Sequence, residues 1–278
     1  MSVAVFFAVL CAALLHAIWN ALIKTGQGKQ ASMLILTVWQ GVFGVLVVVW
    51  LPFPRAEVWP WLIASGVIHM FYQLFLAYAY EQGDLSRVYP IARGAAPLLV
   101  LAVSIFALGD HVAPMEYLGV AVLGVGIVLM ARGAFTNGES RRLVPFALGS
   151  ATATAAYSIV DGLGARVAGD AAQYVSWLLV MAALFYIPAA LFLKGRDVLV
   201  APRVDWLRGA MAGLASLVAY GIVVWAMTQA PIALVTALRE TSILFAVLIG
   251  WLVFGERMDR WKAVAAGLIV LGVVVTRL

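Results

Sequence analysis

Charge is what this chain has least of. Asp, Glu, Lys and Arg make up 11% of its 278 residues, where a soluble domain carries about 25%. Hydrophobic residues make up 65%, and the mean hydropathy is +1.03. That balance excludes an ordinary water-soluble domain and points to a membrane protein. Cysteine is almost missing too. The lone Cys11 cannot close an internal disulfide, and His16, His69 and His111 stand at no metal-ligand spacing, so neither a metal nor a cofactor is expected. Catalytic signatures are also lacking: there is no Gly-x-Ser-x-Gly turn, Walker sequence, His-Glu-x-x-His or Asp-rich diphosphate motif, and an enzyme is not expected. The net charge of +5 forms no basic stripe interleaved with exposed aromatics, which argues against a nucleic-acid partner.

Long apolar runs are what the chain has in abundance. A helix needs about 20 apolar residues to cross a hydrocarbon core about 30 Å thick. On that measure the polar breaks delimit ten spans: 3–23, 31–51, 59–80, 85–108, 114–131, 143–163, 172–193, 205–228, 231–254 and 260–277. No Lys or Arg precedes the first run, which keeps His16, Asn20 and Lys24, so it reads as a span and not as a cleaved signal peptide. The longest polar stretch, 132–142, falls at the midpoint and divides a first five-helix unit (1–131) from a second (143–278). An odd number of spans per half makes the second enter the bilayer in the opposite sense. The expected fold is therefore all-α and integral to the membrane, about ten transmembrane helices arranged as two inverted five-helix repeats.

The repeat is also visible in the residues. One offset carries Arg93 onto Arg239, Gly109-Asp110 onto Gly255-Glu256 and Gly126 onto Gly272. Each arginine lies about eight residues, or about 12 Å, into its span. A guanidinium at that depth is costly and persists where it faces a partner, a cavity or a substrate. Entering from opposite faces, the two arginines suit a carboxylate or phosphate near the midplane. The structural alternative has each of them pairing with Glu240, Asp161 or backbone carbonyls. Glu240, adjacent to Arg239 and about 100° round the helix, reads either as a proton carrier or as a static clasp. Tyr89 lies close to Arg93 in the fourth run.

Polar residues recur at helical spacing elsewhere: His16, Trp19 and Asn20 on the first span, His69, Gln73 and Tyr80 on the third, Tyr157 and Asp161 on the sixth, Ser216 and Tyr220 on the eighth. Together they describe either a pocket or a set of interhelical hydrogen bonds. Pro90, Gly94 and Pro97 interrupt the fourth span, and Gly41, Gly44, Gly119, Gly124, Gly267 and Gly272 read as close helix contacts. Spans five and ten, almost wholly apolar, read as peripheral scaffold. Loops after the odd-numbered spans hold twelve Lys and Arg against Arg55, Arg166 and Arg277 on the other side, a bias that places both termini outside the cell.

Three segments carry a resemblance: His16-Ala17-Ile18-Trp19-Asn20-Ala21-Leu22-Ile23-Lys24, the stretch 86–99 (Ser86-Arg87-Val88-Tyr89-Pro90-Ile91-Ala92-Arg93 to Leu99), and Phe254-Gly255-Glu256-Arg257. With the ten-span duplication, they resemble the EamA-type branch of the drug/metabolite transporter superfamily over essentially the whole chain. The resemblance implies a secondary active transporter, an exporter or exchanger of a small polar metabolite such as an amino acid or organic anion. It also implies a bacterial-type inner membrane, a central cavity between the halves, no cofactor, and termini in the cytoplasm, opposite to the charge count. The residues expected to bind substrate are His16, Trp19, Asn20, His69, Gln73, Tyr89, Arg93, Tyr157, Asp161, Tyr220, Arg239 and Glu240. Expected partners are the substrate, membrane lipid and protons as coupling ion, for a monomer or homodimer; a lipid flippase and an exporter of cationic compounds are the alternatives.

Overall fold

A computed structural model describes residues 1–24, 26, 28–82, 96–104, 112–131, 143–255 and 260–277. In hydrocarbon every backbone N–H and C=O must find its partner within the segment, so apolar runs of this length form helices. In chain order these are α1 (Val3–Lys24), α2 (Lys29–Val48), α3 (Trp59–Gln82), α4 (helical over 96–104), α5 (Pro114–Ala131), α6 (Leu143–Ala168), α7 (Ala171–Lys194), α8 (Arg203–Gln229), α9 (Ile232–Arg239), α10 (Ser242–Phe254) and α11 (Arg260–Val275). No strand occurs among the described residues. The Tyr80 side chain, Tyr89, Pro90, Arg93, Gly94, Gly109-Asp110, the 132–142 linker and Glu256-Arg257 lie outside them.

Six described segments are long and apolar enough to cross a membrane: Val3–Ile23, Gln30–Val48, Ala56–Ala79, Ala171–Lys194, Arg203–Gln229 and Ile232–Val253, with the shorter Pro114–Met130 beside them. Helix α6 has the length, at 26 residues, but Thr152, Thr154, Ser158, Asp161 and Arg166 lower its hydropathy. Its polar residues are mostly turned inward, with Ser150, Thr154, Ser158 and Asp161 fully buried.

The ninth run is one span over Ile232–Val253, as the sequence predicts, but its helix is interrupted within the span. Helix α9 stops at Arg239 and α10 starts at Ser242. Between them the backbone tightens to i,i+3 bonds: the Glu240 and Thr241 amides bond to Ala237 and Leu238, and those of Ile243 and Leu244 to Glu240 and Thr241, all at 2.9 to 3.1 Å. No glycine or proline stands in this turn. The Thr241 hydroxyl donates to the Leu238 carbonyl at 2.7 Å, a side-chain bond that competes with regular helix geometry. The reading also passed over Pro188, which lies within α7.

The helices pair across the two halves of the chain. Helix α1 packs on α8 and α3 on α6; α2 packs on α7 and on α8, α3 on α7, and α5 on α11. Small residues bring the axes together. A Cβ on Gly41 would stand 2.7 Å from Ala183 Cβ, one on Gly44 2.7 Å from the Ser176 carbonyl, and one on Gly66 2.9 Å from Met181. Gly124 faces Leu98 in the same way, whereas Gly267 has open space around it and makes no close helix contact, contrary to expectation. Helix α1 is part of the core, with Val9, Ala12 and Ala13 fully buried.

Cross-links mark the two ends of the bundle. At one end Arg277 Nη1 donates to the Met1 carbonyl at 2.9 Å, so the two termini meet. The same end holds the bonds from Arg55 Nη2 to the Val167 carbonyl (2.6 Å) and from Gln173 Nε2 to the Pro52 carbonyl (2.8 Å), which tie the α2–α3 connection to α6 and α7. There Asp170 caps α7 by accepting from the Ala172 and Gln173 amides at 2.8 and 3.1 Å. At the opposite end Lys194 Nζ donates to Glu81 Oε1 at 3.0 Å, joining α7 to α3.

Candidate functional site

Helix α6 carries the centre of the site. Tyr157 and Asp161 lie one turn apart, on a face that α3, α7, α8 and α9 cover. Asp161 is fully buried. Tyr174 of α7 donates to its Oδ1 at 3.1 Å, and Tyr220 of α8 donates to its Oδ2. His69 of α3 completes the ring of neighbours. Its Nδ1 stands 3.0 Å from the Ser65 carbonyl and 3.1 Å from the Ser65 hydroxyl, and Nε2 lies 4.0 Å from Asp161 Oδ2. Four helices thus converge on one carboxylate.

Two glycines make room for this arrangement. A Cβ on Gly162 would reach 2.6 Å from Ile232 of α9, and one on Gly164 would reach 2.5 Å from the Tyr174 hydroxyl. The sequence Asp161-Gly162-Leu163-Gly164 therefore lets α9 and the Tyr174 ring approach on either side of the acid.

A second charged group sits beside the first. Arg239 and Glu240 are 1% and 0% exposed. Arg239 Nη2 lies 3.2 Å from Glu240 Oε1 and 3.4 Å from the Ser158 hydroxyl. Adjacent side chains on a regular helix diverge, as the sequence reading assumed. They meet here because α9 ends at Arg239 and Glu240 already belongs to the tight turn, so the structural alternative in which Arg239 pairs with Glu240 describes the geometry. The Tyr157 ring links the two centres: it stacks on His69 with centroids 4.2 Å apart, and the Arg239 guanidinium carbon lies 5.6 Å from its centroid. Tyr72 and Tyr220 meet Tyr157 edge-on at 5.4 and 6.0 Å. Thr154, one turn before Ser158, and Thr236, three residues before Arg239, are fully buried and their hydroxyls have no hydrogen-bond partner among the described residues.

The remaining expected residues stand at differing distances from this junction. Trp19 belongs to the same buried cluster as Tyr72 and Tyr157. Its ring nitrogen donates to His16 Nδ1 at 3.2 Å, and Asn20 Nδ2 donates to the His16 carbonyl at 2.8 Å, so these polar contacts run along α1 itself. Gln73 faces α2, where its Oε1 accepts from Thr37 at 3.0 Å. Ser216 accepts from Gln40 of α2 at 2.8 Å. Arg93 and Tyr89 are outside the described residues.

Sequence reasoning missed Tyr174, Ser65 and Ser158. Tyr174 sits at the start of its span, where an aromatic reads as a membrane-interface residue. A signal for the acid itself was present: aligning His16-Ala17-Ile18-Trp19-Asn20-Ala21-Leu22 with Tyr157-Ser158-Ile159-Val160-Asp161-Gly162-Leu163 places Asn20 opposite Asp161, with Ile18 and Leu22 matched identically.

Apolar helices whose ionised groups are gathered between them, away from lipid, define the class: a multi-pass membrane protein. The chain belongs to the EamA-like transporter family, whose family model matches residues 3–132 and again 142–278. It is accordingly a membrane transporter of the drug/metabolite type, built as two repeats. No curated protein matches the sequence. A solved structure described as "Crystal structure of protein" is similar over 99% of this chain and 98% of its own, with a TM-score of 0.77 at 18% sequence identity, a likeness of fold alone.

Proposed function

We propose that the protein is a secondary active transporter, an exporter or exchanger of a small polar metabolite such as an amino acid or organic anion, and that the substrate binds at the α3–α6–α8–α9 junction. The observation that carries this reading is the burial of Arg239, Glu240, Asp161 and His69 in one aromatic-lined cluster between the two repeats. Each intramembrane charge costs about 3 kcal/mol on insertion scales, while an interhelical hydrogen bond returns about 0.6 kcal/mol. Helix cohesion alone is a poor reason to gather four ionisable side chains. The unsatisfied Thr154 and Thr236 hydroxyls add groups that a polar ligand can bond.

The architecture proposed is ten spans in two inverted halves, the first over 1–131 and the second over 143–278. Its support is the reciprocity of the packing: exchanging the halves turns the α1–α8 contact into α6–α3, and α3–α7 into α8–α2. Rocking of one half on the other around the junction gives alternating access, with protons as the coupling ion. The tight turn at 239–242 supplies a point within the ninth span where the chain can bend. The charge bias favours termini outside the cell. Labelling of Ser2→Cys and Ser140→Cys in a Cys11→Ser background with an impermeant thiol reagent tests that: Ser2→Cys alone is expected to react in intact cells.

Transport itself is tested by reconstituting the protein in liposomes and measuring counterflow of a panel of radiolabelled amino acids and organic anions, with quaternary ammonium compounds alongside. Exchange of at least one of them is expected; uptake confined to quaternary ammonium compounds would overturn the role of Arg239 as an anion contact.

A further inference from the structure

Building on that transporter reading, we propose that Asp161, and not Glu240, carries the coupling proton, and that proton binding is read out by the Tyr220 and Tyr174 hydroxyls that hold α8 and α7 against α6. The argument starts from the occupancy of the two acids. In the described geometry Glu240 Oε1 is engaged by the Arg239 guanidinium at 3.2 Å, an ion pair between two buried side chains. Among the described residues Asp161 has no arginine or lysine as a hydrogen-bond partner; its two oxygens accept from phenols, one from α7 and one from α8.

A phenol has one proton to donate. With Asp161 ionised, each of its oxygens accepts one such bond. When a proton adds to Oδ2, that oxygen becomes a hydroxyl, donates instead, and no longer accepts the Tyr220 bond in the same geometry. The Tyr220 hydroxyl then either rotates and accepts from Oδ2, which reverses the bond, or leaves and frees the α6–α8 contact. Release of the proton to the other aqueous side restores the carboxylate and the bond. The step moves one proton and breaks no covalent bond other than O–H.

Groups facing the acid from every described element packed on α6 are accounted for. They are His69 and Ser65 from α3, Tyr174 from α7, Tyr220 from α8, and Arg239 with Glu240 from the α9 end; Tyr157 lies on α6 itself. At the terminal end the Arg55 bond to the Val167 carbonyl and its pairing with Glu57 at 2.7 Å are exposed. Beyond the two phenols, His69, with Nε2 4.0 Å from Oδ2, is the nearest described imidazole, ammonium or guanidinium group to the acid. The internal repeat supplies a built-in comparison: the position matching Asp161 in the first half is Asn20, nearly the same shape without a titratable oxygen. The proposed site is thus single, in a fold that otherwise repeats.

The test needs no substrate. Infrared difference spectra of the purified full-length protein between acid and alkaline buffer report the carbonyl stretch of each carboxylic acid that gains a proton. The account predicts one band, in protein labelled with carbon-13 aspartate, that disappears in Asp161→Asn and persists in Glu240→Gln. Tyr174→Phe, which keeps the acid, removes the phenol that donates to Oδ1, the carbonyl oxygen once Oδ2 is protonated; it is expected to move that band to higher frequency, and it serves if Asp161→Asn does not fold. A band unchanged in Asp161→Asn, or unchanged in position in Tyr174→Phe, would overturn the proposal, as would a band that appears only when sodium is removed. Counterflow of the amino-acid and organic-anion panel through liposomes of the unmodified protein reports on the transporter reading separately, since exchange requires no net proton movement.

Discussion

The α5–α11 pair and the α3–α6–α8–α9 junction hold helices together by opposite means. In the pair, backbone meets backbone: a Cβ on Gly272 would stand 2.5 Å from the Leu123 amide nitrogen, and one on Gly119 2.6 Å from that of Thr276. A Cβ on Gly126 would stand 2.9 Å from the Ile269 amide nitrogen. The other faces of these helices are greasy and open, with Leu118, Val125, Val128, Val264 and Leu271 exposed, which is lipid-facing surface in a membrane. At the junction the helices are held by few, costly polar contacts centred on Asp161 and Arg239. Cohesion without polar groups is evidently available to this fold, since α5 and α11 achieve it. Polar groups at the junction therefore call for an explanation beyond cohesion.

The sharpest way to break the comparison is to leave one buried charge alone. Arg239→Ala removes the guanidinium beside Glu240, and stranding a buried partner costs about 3–5 kcal/mol. Thermal unfolding in detergent is expected to reveal this as the largest stability loss in the set, with partial recovery in the Arg239→Ala, Glu240→Gln double variant. In the apolar pair, Gly272→Val drives a side chain into backbone that cannot yield, an overpacking cost of about 1–3 kcal/mol. Its effect should fall on stability, with transport per folded molecule unchanged.

A smaller change sharpens the junction itself. Gly164→Ala places a methyl 2.5 Å from the Tyr174 hydroxyl and is expected to displace that phenol from Asp161, costing about 1–2 kcal/mol with a disproportionate loss of transport. Thr37→Val, which removes the hydroxyl shared between Gln73 and the Met33 carbonyl, is the weakest: about 0.6 kcal/mol and no change in transport, because the interhelical bond it loses ties α2 to α3 and does not involve Asp161.

Much of this contrast was legible before the fold was known. Tyr157 and Asp161 share a face by their spacing, the buried Arg239 stood out as a charge inside an apolar run, and the apolar character of spans five and ten marked them as scaffold. Other parts could not be read. Nothing in Leu238-Arg239-Glu240-Thr241 announces a break, because it arises from a threonine bonding back to the chain and not from glycine or proline. The Arg239–Glu240 contact was one of two open readings, and the choice between them rests on a turn that regular helix geometry does not contain. Tyr174 joins the site only because Gly164 on another helix leaves it space, a relation between positions that no single-helix pattern contains. His16 and Gln73 carried the right spacing, yet their described side-chain bonds go to their own helix and to α2.

The central claim is that transport resides in the polar junction and mechanical support in the apolar pair. Concentration-dependent counterflow of the amino-acid and organic-anion panel in liposomes, normalised to folded protein, tests it with two variants side by side. Arg239→Lys keeps the charge and loses the planar fork that grips a carboxylate through two bonds, whereas Gly119→Ala strains the α5–α11 contact. The account predicts a raised half-saturation concentration for Arg239→Lys and a wild-type curve for Gly119→Ala; a wild-type curve for Arg239→Lys with altered saturation in Gly119→Ala would contradict it.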